Sequence, residues 1–530
     1  MVGTKIAKKM KKFLKNNWAY LIGIFIVLVL FSLRFVNLTI IPVFADEAIY
    51  IRWAQVMRAE ETLRFLPLSD GKEPLFMWTM IPFFKIFSDP LVAGRMVSVV
   101  SGFGTMAGVF LLTYLLFKNK KASLISSFIY AASPFTFFFD RMSLVDSMLS
   151  MFGVWTFIFS YLAIKKERWD FAMLAGFALG GAWLTKSSAL FFAIMLPSLW
   201  LFAPWKKNLT KNFIVFFKSL FLSLTTIIIG YGFYNILRLG PNFHLIASRN
   251  MDYVYPINHF LTSPFDPLKT FLTASARWIS VMGPWPVILM AFGGIVLNFK
   301  KHKKEILILT LWFLFPIFVQ SEFAKSFTAR YILFSIPYLI IIAGSLFSYE
   351  SKKWQNILKY GVLVLFAVLS GIFNYRLITS PYKADLPRSE RSGYLEEWTA
   401  GQGIAETADY LIKEDAALPD EKIVIGTEGY FGTLPDGLQM YLNNYPEITA
   451  IGVGLTFDFV PKDLINSKAY GDKTYLLVNA SRFTGNAEYL GLSLIKEFPK
   501  AEKPNGTHDS LLLFEVTDEA LKSKANFNRH

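Results

Sequence analysis

Long apolar stretches dominate the first 376 residues of the chain and are absent from the remainder. Most of them approach the roughly 20 residues that a helix needs to cross a bilayer. The pattern therefore predicts a polytopic α-helical membrane protein with about eleven transmembrane helices. The stretches cover residues 18–37, 91–117, 122–139, 144–164, 171–185, 187–203, 213–237, 278–298, 306–320, 331–347 and 357–375.

Lysine and arginine clusters between these stretches indicate the orientation of the chain. Residues 1–17 carry six lysines, and the apolar run that follows has no cleavage site, so it is interpreted as a retained first span rather than a signal peptide. With a cytoplasmic N-terminus, the basic clusters at 118–121, 165–168, 206–211, 300–304 and 352–353 all fall on the cytoplasmic side. Stretches 171–185 and 187–203 meet at Lys186 and are either a tight hairpin or one broken span. We count them as two spans, because a single span would move every later basic cluster to the opposite side of the membrane.

This threading leaves loops 38–90 and 238–277 and the tail after residue 376 on the outer face of the plasma membrane. Residues 1–376 then form the transmembrane domain and 377–530 a soluble extracytoplasmic α/β domain. In the tail, five short β-type runs at 422–426, 448–453, 474–479, 492–498 and 510–516 alternate with helical stretches at 403–413 and 436–443. In the first outer loop, Tyr50, Trp53, Ala54 and Met57 have the spacing of an amphipathic helix, which is expected to lie on the membrane surface.

Composition supports a membrane protein and excludes several other classes. Hydrophobic residues make up 54% of the chain and charged residues only 18%. The net charge of +15 is distributed between apolar runs, as expected near anionic lipid headgroups, and does not indicate nucleic-acid binding. The chain has no cysteine, which rules out disulfides and thiol catalysis.

Ionisable residues from distant runs are predicted to converge at the outer surface, in one polar cavity partly sunk in the bilayer. A charge near membrane depth costs roughly 2.5–3.5 kcal/mol on insertion scales, so a cluster of them indicates function. The candidates are Asp46, Glu47, Lys72, Glu73, Arg95, Asp140, Arg141, Asp146, Lys186 and Arg330.

Sugar transfer from a polyprenyl phosphate to a hydroxyl suits such a cluster. A carboxylate can remove the proton of the acceptor hydroxyl, and Lys or Arg can stabilise the departing phosphate. Nucleotide sugars remain in the cytoplasm, so an outward-facing site requires a lipid-linked donor. This mechanism requires no cofactor and no divalent metal.

Simpler interpretations of single residues remain open. Asp46 could be the N-cap of the helix that follows it, and Glu47 could only complement the helix dipole. Arg95, Arg141 and Arg330 could anchor helices at the interface. Asp146 could form a structural pair with Arg141.

Four segments carry a resemblance to a known family: FADEAIYIRWAQVM, GKEPLFMW, RMSLVDSMLSMF and ARYILFSIPYLIIIAG. They resemble the protein O-mannosyltransferase and lipid A aminoarabinose transferase group, GT-C fold enzymes that use polyprenyl-phosphate sugars. The resemblance implies that Asp46 is the catalytic carboxylate, with Glu47 beside it, and that Lys72 approaches the lipid phosphate. Asp146 matches a second acidic position.

The match also has departures. Relatives that act on lipid A have arginine where this chain has Ile49 and a second proline where it has Glu73; Arg52 is a candidate substitute for that arginine. Arg95 and Arg330 are further candidates for phosphate binding. His244, Arg249 and Asn250 are weaker candidates for a donor or acceptor loop.

The expected partners are a polyprenyl-phosphate sugar, membrane lipids, and a protein, lipid or glycan acceptor. A multi-span transporter or flippase of lipid-linked sugars is the main alternative. A membrane-anchored receptor and an oligosaccharyltransferase are less favoured, the latter because the chain has no Trp-Trp-Asp segment.

Overall fold

A computed structural model describes residues 18, 20–418 and 420–527. The predicted lysine-rich N-terminus lies outside these residues. In chain order the main helices, some of which include a 3-10 turn, are α1 (Tyr20–Phe35), α2 (Ala45–Ala59), α3 (Leu75–Lys85), α4 (Pro90–Phe117), α5 (Lys120–Ala132), α6 (Pro134–Phe139), α7 (Val145–Lys166), α8 (Trp169–Thr185), α9 (Ser187–Phe202), α10 (Leu209–Leu239), α11 (Leu245–Tyr253), α12 (Asn258–Thr262), α13 (Leu268–Met282), α14 (Pro286–Asn298), α15 (Lys303–Phe323), α16 (Ala329–Ser348), α17 (Lys353–Thr379), α18 (Arg388–Arg391), α19 (Ile404–Ala417), α20 (Thr433–Leu442), α21 (Lys462–Ala469) and α22 (Lys524–Phe527).

Six of the described helices, α4, α7, α10, α15, α16 and α17, are long and apolar enough to cross a membrane, and the α13–α14 pair would make seven. This confirms a polytopic helical membrane protein, whereas the number eleven is not confirmed. Helices α1 and α9 are apolar but shorter.

Two predicted spans are broken, in both cases at proline. Stretch 122–139 divides at Ser133, whose ψ of 124° is extended, because Pro134 disfavours a helical conformation in the residue before it. Stretch 278–298 divides between α13 and α14, which are bent by 103°. Pro284 and Pro286 lie at this bend, and neither can donate a backbone hydrogen bond.

The tail contains the five predicted strands. They form one sheet in the order β2-β1-β3-β5-β4, in which β1, β2 and β3 are parallel and β5 is antiparallel to both β3 and β4. The strands are β1 (Ile423–Glu428), β2 (Ile448–Gly454), β3 (Lys473–Asn479), β4 (Leu492–Pro499) and β5 (Ser510–Val516).

The two faces of this sheet have different cores. Because side chains alternate along a strand, Ile425 and Leu477 join the large apolar cluster that extends into the membrane helices. Val424 and Leu476 face a separate, smaller cluster on the far side of the sheet. The helical part and the tail therefore share a continuous core.

Helix α2 corrects one expectation. Its apolar positions Tyr50, Trp53, Ala54 and Met57 are all buried within the protein, so the helix does not lie on the membrane surface. It packs against α3, α4 and α20, and the Gln55 side chain donates a hydrogen bond to the Met440 carbonyl at 2.8 Å.

The start of α2 is also joined to the tail through the main chain. Phe44 and Ala400 form an antiparallel bridge. The Ala45 N–H donates to the Thr399 carbonyl at 3.1 Å, and the Gly401 N–H donates to the Val43 carbonyl at 2.9 Å. The residues that introduce α2 therefore have their backbone partners in the tail.

A buried ion pair links α1 to the end of α6. The Arg34 guanidinium lies 3.0 Å from Asp140, and both side chains are fully buried. Arg34 also donates to the Ala131 carbonyl, and Tyr130 and Ser147 donate to Asp140. A buried pair is stable only when its remaining hydrogen-bonding groups are satisfied in this way.

Arg34→Leu is therefore expected to lower the free energy of unfolding by about 3–5 kcal/mol, because it leaves the Asp140 charge buried and unpaired. Denaturant unfolding in detergent micelles measures the change. The control is Arg64→Leu, which removes a 64% exposed guanidinium paired with exposed Glu61 and should cost less than about 1 kcal/mol. Equal stability of the two variants would contradict the prediction.

Candidate functional site

Charged residues from five parts of the chain meet near the ends of several helices. Asp46 lies in the first turn of α2 and Asp146 in the first turn of α7, while Arg330 is the second residue of α16. Lys72 lies in the turn before α3, and Lys186 separates α8 from α9. These five residues are called the charged cluster below.

Asp46 is the centre of the first half of the charged cluster. Its Oδ2 lies 2.5 Å from Arg330 Nη2, and its Oδ1 lies 3.8 Å from Lys72 Nζ. The three side chains are 20%, 13% and 22% exposed, so they remain open to a ligand. Asp46 is not the N-cap, because Phe44 occupies that position and its N–H is bound by Glu47 at 3.0 Å.

The electrostatic balance keeps Asp46 ionised. Burial alone would raise the pKa of its carboxyl group, but the positive charges of Arg330 and Lys72 lower that pKa to about 2. Burial alone would lower the pKa of Lys72, but neighbouring Tyr50, Asp46 and Asp70 raise it above the usual value. At neutral pH the site thus combines a carboxylate with two cations.

The second half of the charged cluster is the pair of Asp146 and Lys186, whose Oδ1 and Nζ are 2.6 Å apart. The Tyr331 ring joins the two halves, since Lys186 Nζ lies 4.2 Å and Arg330 Cζ 5.3 Å from its centroid. Asp146 does not pair with Arg141, whose guanidinium instead binds the carbonyls of Val36 and Asn37 at 2.7 Å.

Glu73 is buried at the edge of the charged cluster, beside Lys186. Its side chain is only 5% exposed and accepts a hydrogen bond of 2.5 Å from Ser187, the neighbour of Lys186. Asn250 in turn donates to Ser187 at 3.4 Å. Burial raises the pKa of Glu73, although Ser187, Lys186 and Lys72 act in the opposite direction.

The loop predicted at residues 238–277 contributes one further contact. Arg249 lies 3.4 Å from Asp70, which also pairs with Lys72 at 3.3 Å. Helix α11 can approach this turn because Gly71 has no side chain, and a Cβ there would lie 2.5 Å from that of Arg249. The structure therefore brings Arg249 and Asn250 to the edge of the charged cluster, whereas His244 is exposed at the start of α11.

Two predicted site residues have another role, which corrects the expectation from sequence. Glu47 and Arg95 form a fully buried ion pair at 2.7 Å, so neither is accessible to a substrate or a phosphate. Arg52 donates to Asn443 in the tail at 2.8 Å and lies on the side of α2 that the tail covers. The assignment of Arg52 to phosphate binding stays a prediction.

Sequence reasoning missed Glu390 and Tyr394 in the segment after the last membrane helix. Glu390 is 3% exposed and accepts the Ala329 N–H at 3.1 Å, immediately before Arg330. The Tyr394 ring packs 4.4 Å from Phe44. Nothing in the local sequence distinguishes these residues from an ordinary polar linker. Among the described residues, no three His, Cys, Asp or Glu side chains are grouped to hold a metal ion.

Comparisons with known proteins agree with this architecture. Residues 71–231, which include Lys72, Glu73, Asp146 and Lys186, match the family model of dolichyl-phosphate-mannose-protein mannosyltransferase. The structure is similar to that of ArnT from Cupriavidus metallidurans in the apo state, with a TM-score of 0.60, 13% identity, and coverage of 96% of this chain and 99% of the other. For ArnT bound to undecaprenyl phosphate the TM-score is 0.55, with 13% identity and coverage of 95% and 99%.

No curated protein sequence matches the chain significantly. The structural likeness, at this low identity, establishes the fold. The chain is a multi-pass helical membrane protein of the GT-C fold with a small C-terminal sheet.

The raised pKa of Glu73 predicts a pH-dependent stability. A group whose pKa rises above its ordinary 4.5 on folding stabilises the protein below that pH, and this contribution is lost as pH rises through the folded-state pKa. Relative to Glu73→Gln, which can still accept the Ser187 hydrogen bond, the unsubstituted protein should lose stability as pH rises. Thermal unfolding between about pH 4 and pH 8 measures the difference.

The matched control for this experiment is Glu61→Gln, because the Glu61 side chain is 87% exposed. Its stability curve should run parallel to that of the unsubstituted protein. A parallel curve for Glu73→Gln as well would contradict the prediction.

Proposed function

We propose that the protein is a membrane glycosyltransferase that moves a sugar from a polyprenyl-phosphate donor to a hydroxyl acceptor on the outer face of the membrane. The observation that carries the proposal is the position of Asp46 between Lys72 and Arg330, partly exposed where α2 meets the membrane helices. The similar ArnT structure that contains undecaprenyl phosphate supports a lipid phosphate as the donor.

The reaction is a single displacement with inversion. The acceptor oxygen attacks the anomeric carbon of the sugar, and the bond from that carbon to the phosphate oxygen breaks. The electron pair of that bond leaves with the polyprenyl phosphate, while Asp46 takes the proton of the attacking hydroxyl. No acid is needed for the leaving group, because the phosphate is a stable anion.

Lys72 and Arg330 stabilise the charge that develops on the phosphate. In the resting arrangement the same cations hold the pKa of Asp46 near 2, which makes it a weak base. A donor phosphate competes for these cations and so raises the proton affinity of Asp46. Donor binding thereby makes Asp46 a stronger base.

Asp146 and Lys186 orient the acceptor beside this centre. A multi-span transporter or flippase gains no support, because transporters place their sites near the bilayer midplane between repeats, whereas these charges lie at helix ends.

Asp46→Asn is expected to abolish transfer while the protein still inserts into the membrane and binds donor lipid. The amide cannot accept the hydroxyl proton, so a loss of roughly 100-fold or more in kcat is expected. Mass spectrometry of products from purified protein and a panel of polyprenyl-phosphate sugars measures turnover. Asp385→Asn, at a 78% exposed carboxylate in the tail, is the control. Undiminished turnover by Asp46→Asn would contradict its role as base.

Lys72→Met is expected to weaken donor binding instead. Removing one charge-assisted contact to the phosphate should raise the donor Kd by roughly tenfold or more. A direct titration with a polyprenyl-phosphate sugar, followed by intrinsic fluorescence, measures this. The control is Lys269→Met, on the exposed side of α13. Equal donor affinity in both variants would remove Lys72 from the phosphate site.

A further inference from the structure

Residues 254–265, which lie between α11 and α13 and include α12, expose several large apolar side chains. Ile257, Leu261 and Phe265 are 82%, 79% and 76% exposed, and Val254 and Phe260 are also exposed. Single apolar residues on a protein surface are ordinary, but a contiguous group of them usually marks an interaction surface. Residues 254–265 are called the apolar loop below.

The apolar loop has a defined conformation. The His259 ring stacks on that of Tyr255, with centroids 4.1 Å apart and planes inclined by 11°. His259 Nε2 lies 2.6 Å from the Asp266 carbonyl oxygen, and the Ser263 N–H donates to the His259 carbonyl at 2.8 Å. These contacts hold the backbone of the loop and leave its apolar side chains on the surface.

Helix α12 divides its exposed side chains into two faces. Ile257, Phe260 and Leu261 have the spacing i, i+3 and i+4, which places them on one side of a helical turn. Asn258 and Thr262 lie on the opposite side and are exposed as well. The helix therefore has an apolar face and a polar face, and neither is covered by protein.

Backbone hydrogen bonds fix the apolar loop at the end of α15, a helix long enough to cross a membrane. The Tyr255 N–H donates to the Phe323 carbonyl at 2.7 Å, and the Lys325 N–H donates to the Tyr253 carbonyl at 2.8 Å. Because a spanning helix ends near the membrane surface, the loop lies at that level. One side of α15 also exposes an apolar stripe that runs toward this end: Leu307, Leu311, Leu314 and Phe318.

The charge of the apolar loop distinguishes between possible occupants. The loop contains no Asp, Glu, Lys or Arg, and the charged residues next to it are of mixed sign: Asp252, Asp266, Lys269 and Lys325. It therefore offers nothing to select a charged partner. Apolar and aromatic side chains at the end of a membrane span suit the boundary between headgroups and acyl chains. Lipid is already present beside α15, whereas a protein partner would have to be recruited.

We propose that the apolar loop is a membrane anchor, in which α12 lies along the leaflet nearest the charged cluster and inserts Ile257, Leu261 and Phe265 among the acyl chains. The preceding helix, α11, carries Arg249 and Asn250, which contact the edge of the charged cluster. The anchor thus fixes the depth of that cluster relative to the lipid. The inference does not depend on the proposed function, although it would hold the cluster at the level of a lipid-linked phosphate.

The test is spin labelling of the full chain in nanodiscs. The sequence has no cysteine, so Leu261→Cys carries a single label. A label in lipid collides often with oxygen, which dissolves among acyl chains, and rarely with a water-soluble nickel chelate. The ratio of the two collision rates should be several-fold higher for Leu261→Cys than for Tyr470→Cys. Tyr470 is 88% exposed and follows α21, which packs on the face of the sheet away from the membrane helices.

The matched control within the loop is Thr262→Cys, because Thr262 lies on the polar face of α12. Its ratio should be lower than that of Leu261→Cys. Ile257→Cys repeats the measurement one helical turn earlier, so the result does not depend on the folding of one variant.

A ratio for Leu261→Cys equal to that of Thr262→Cys or of Tyr470→Cys would overturn the anchor. Shielding of the Leu261→Cys label from both reagents would also overturn it, because a protein contact such as a second copy of the chain would then cover the loop. None of these measurements involves sugar transfer, so failure here is distinct from failure of the Asp46→Asn experiment.

Discussion

The buried ion pair between Glu47 and Arg95 is the interaction on which the site depends. Glu47 also accepts hydrogen bonds from the N–H groups of Phe44 and Ser143. The Arg95 guanidinium donates to three backbone carbonyls within residues 38–42. Both side chains are fully buried, where an unpaired charge would strongly destabilise the protein. The pair therefore fixes the first turn of α2 against α4. Asp46 is the preceding residue, turned about 100° around the helix, and so it points toward Arg330.

Much of the architecture could be predicted from the sequence, because membrane helices and β-strands follow simple periodic rules. The five tail strands were found within a few residues of their observed limits, and the order of most apolar helices was correct. The convergence of the charged residues also followed from the predicted threading, which puts Asp46 and Lys72 in loop 38–90 and Asp146 and Arg330 at the ends of predicted spans on the same side. A charge near a helix end in lipid has few environments available, which makes its location predictable.

Pairing and packing could not be predicted in the same way. Arg95 and Arg330 are both arginines near helix ends, yet Arg95 is enclosed with Glu47 and Arg330 is partly open beside Asp46. Only the three-dimensional arrangement of loop 38–44 distinguishes them. The environment of α2 was misassigned for a related reason, since an amphipathic pattern indicates that a helix face is covered but not whether lipid or protein covers it. Glu390 is buried where the segment after α17 contacts the start of α16.

The backbone bridge between Phe44 and Ala400 has a consequence for how the molecule can change. Two stretches separated by more than 350 positions complete each other's hydrogen bonding at the point where α2 begins. Excising the tail would leave polar main-chain groups at that point without partners. The helical and sheet regions are thus expected to unfold as one cooperative unit. A different C-terminal domain joined to these membrane helices would have to form the same backbone bridge to Phe44 in order to pack in the same place.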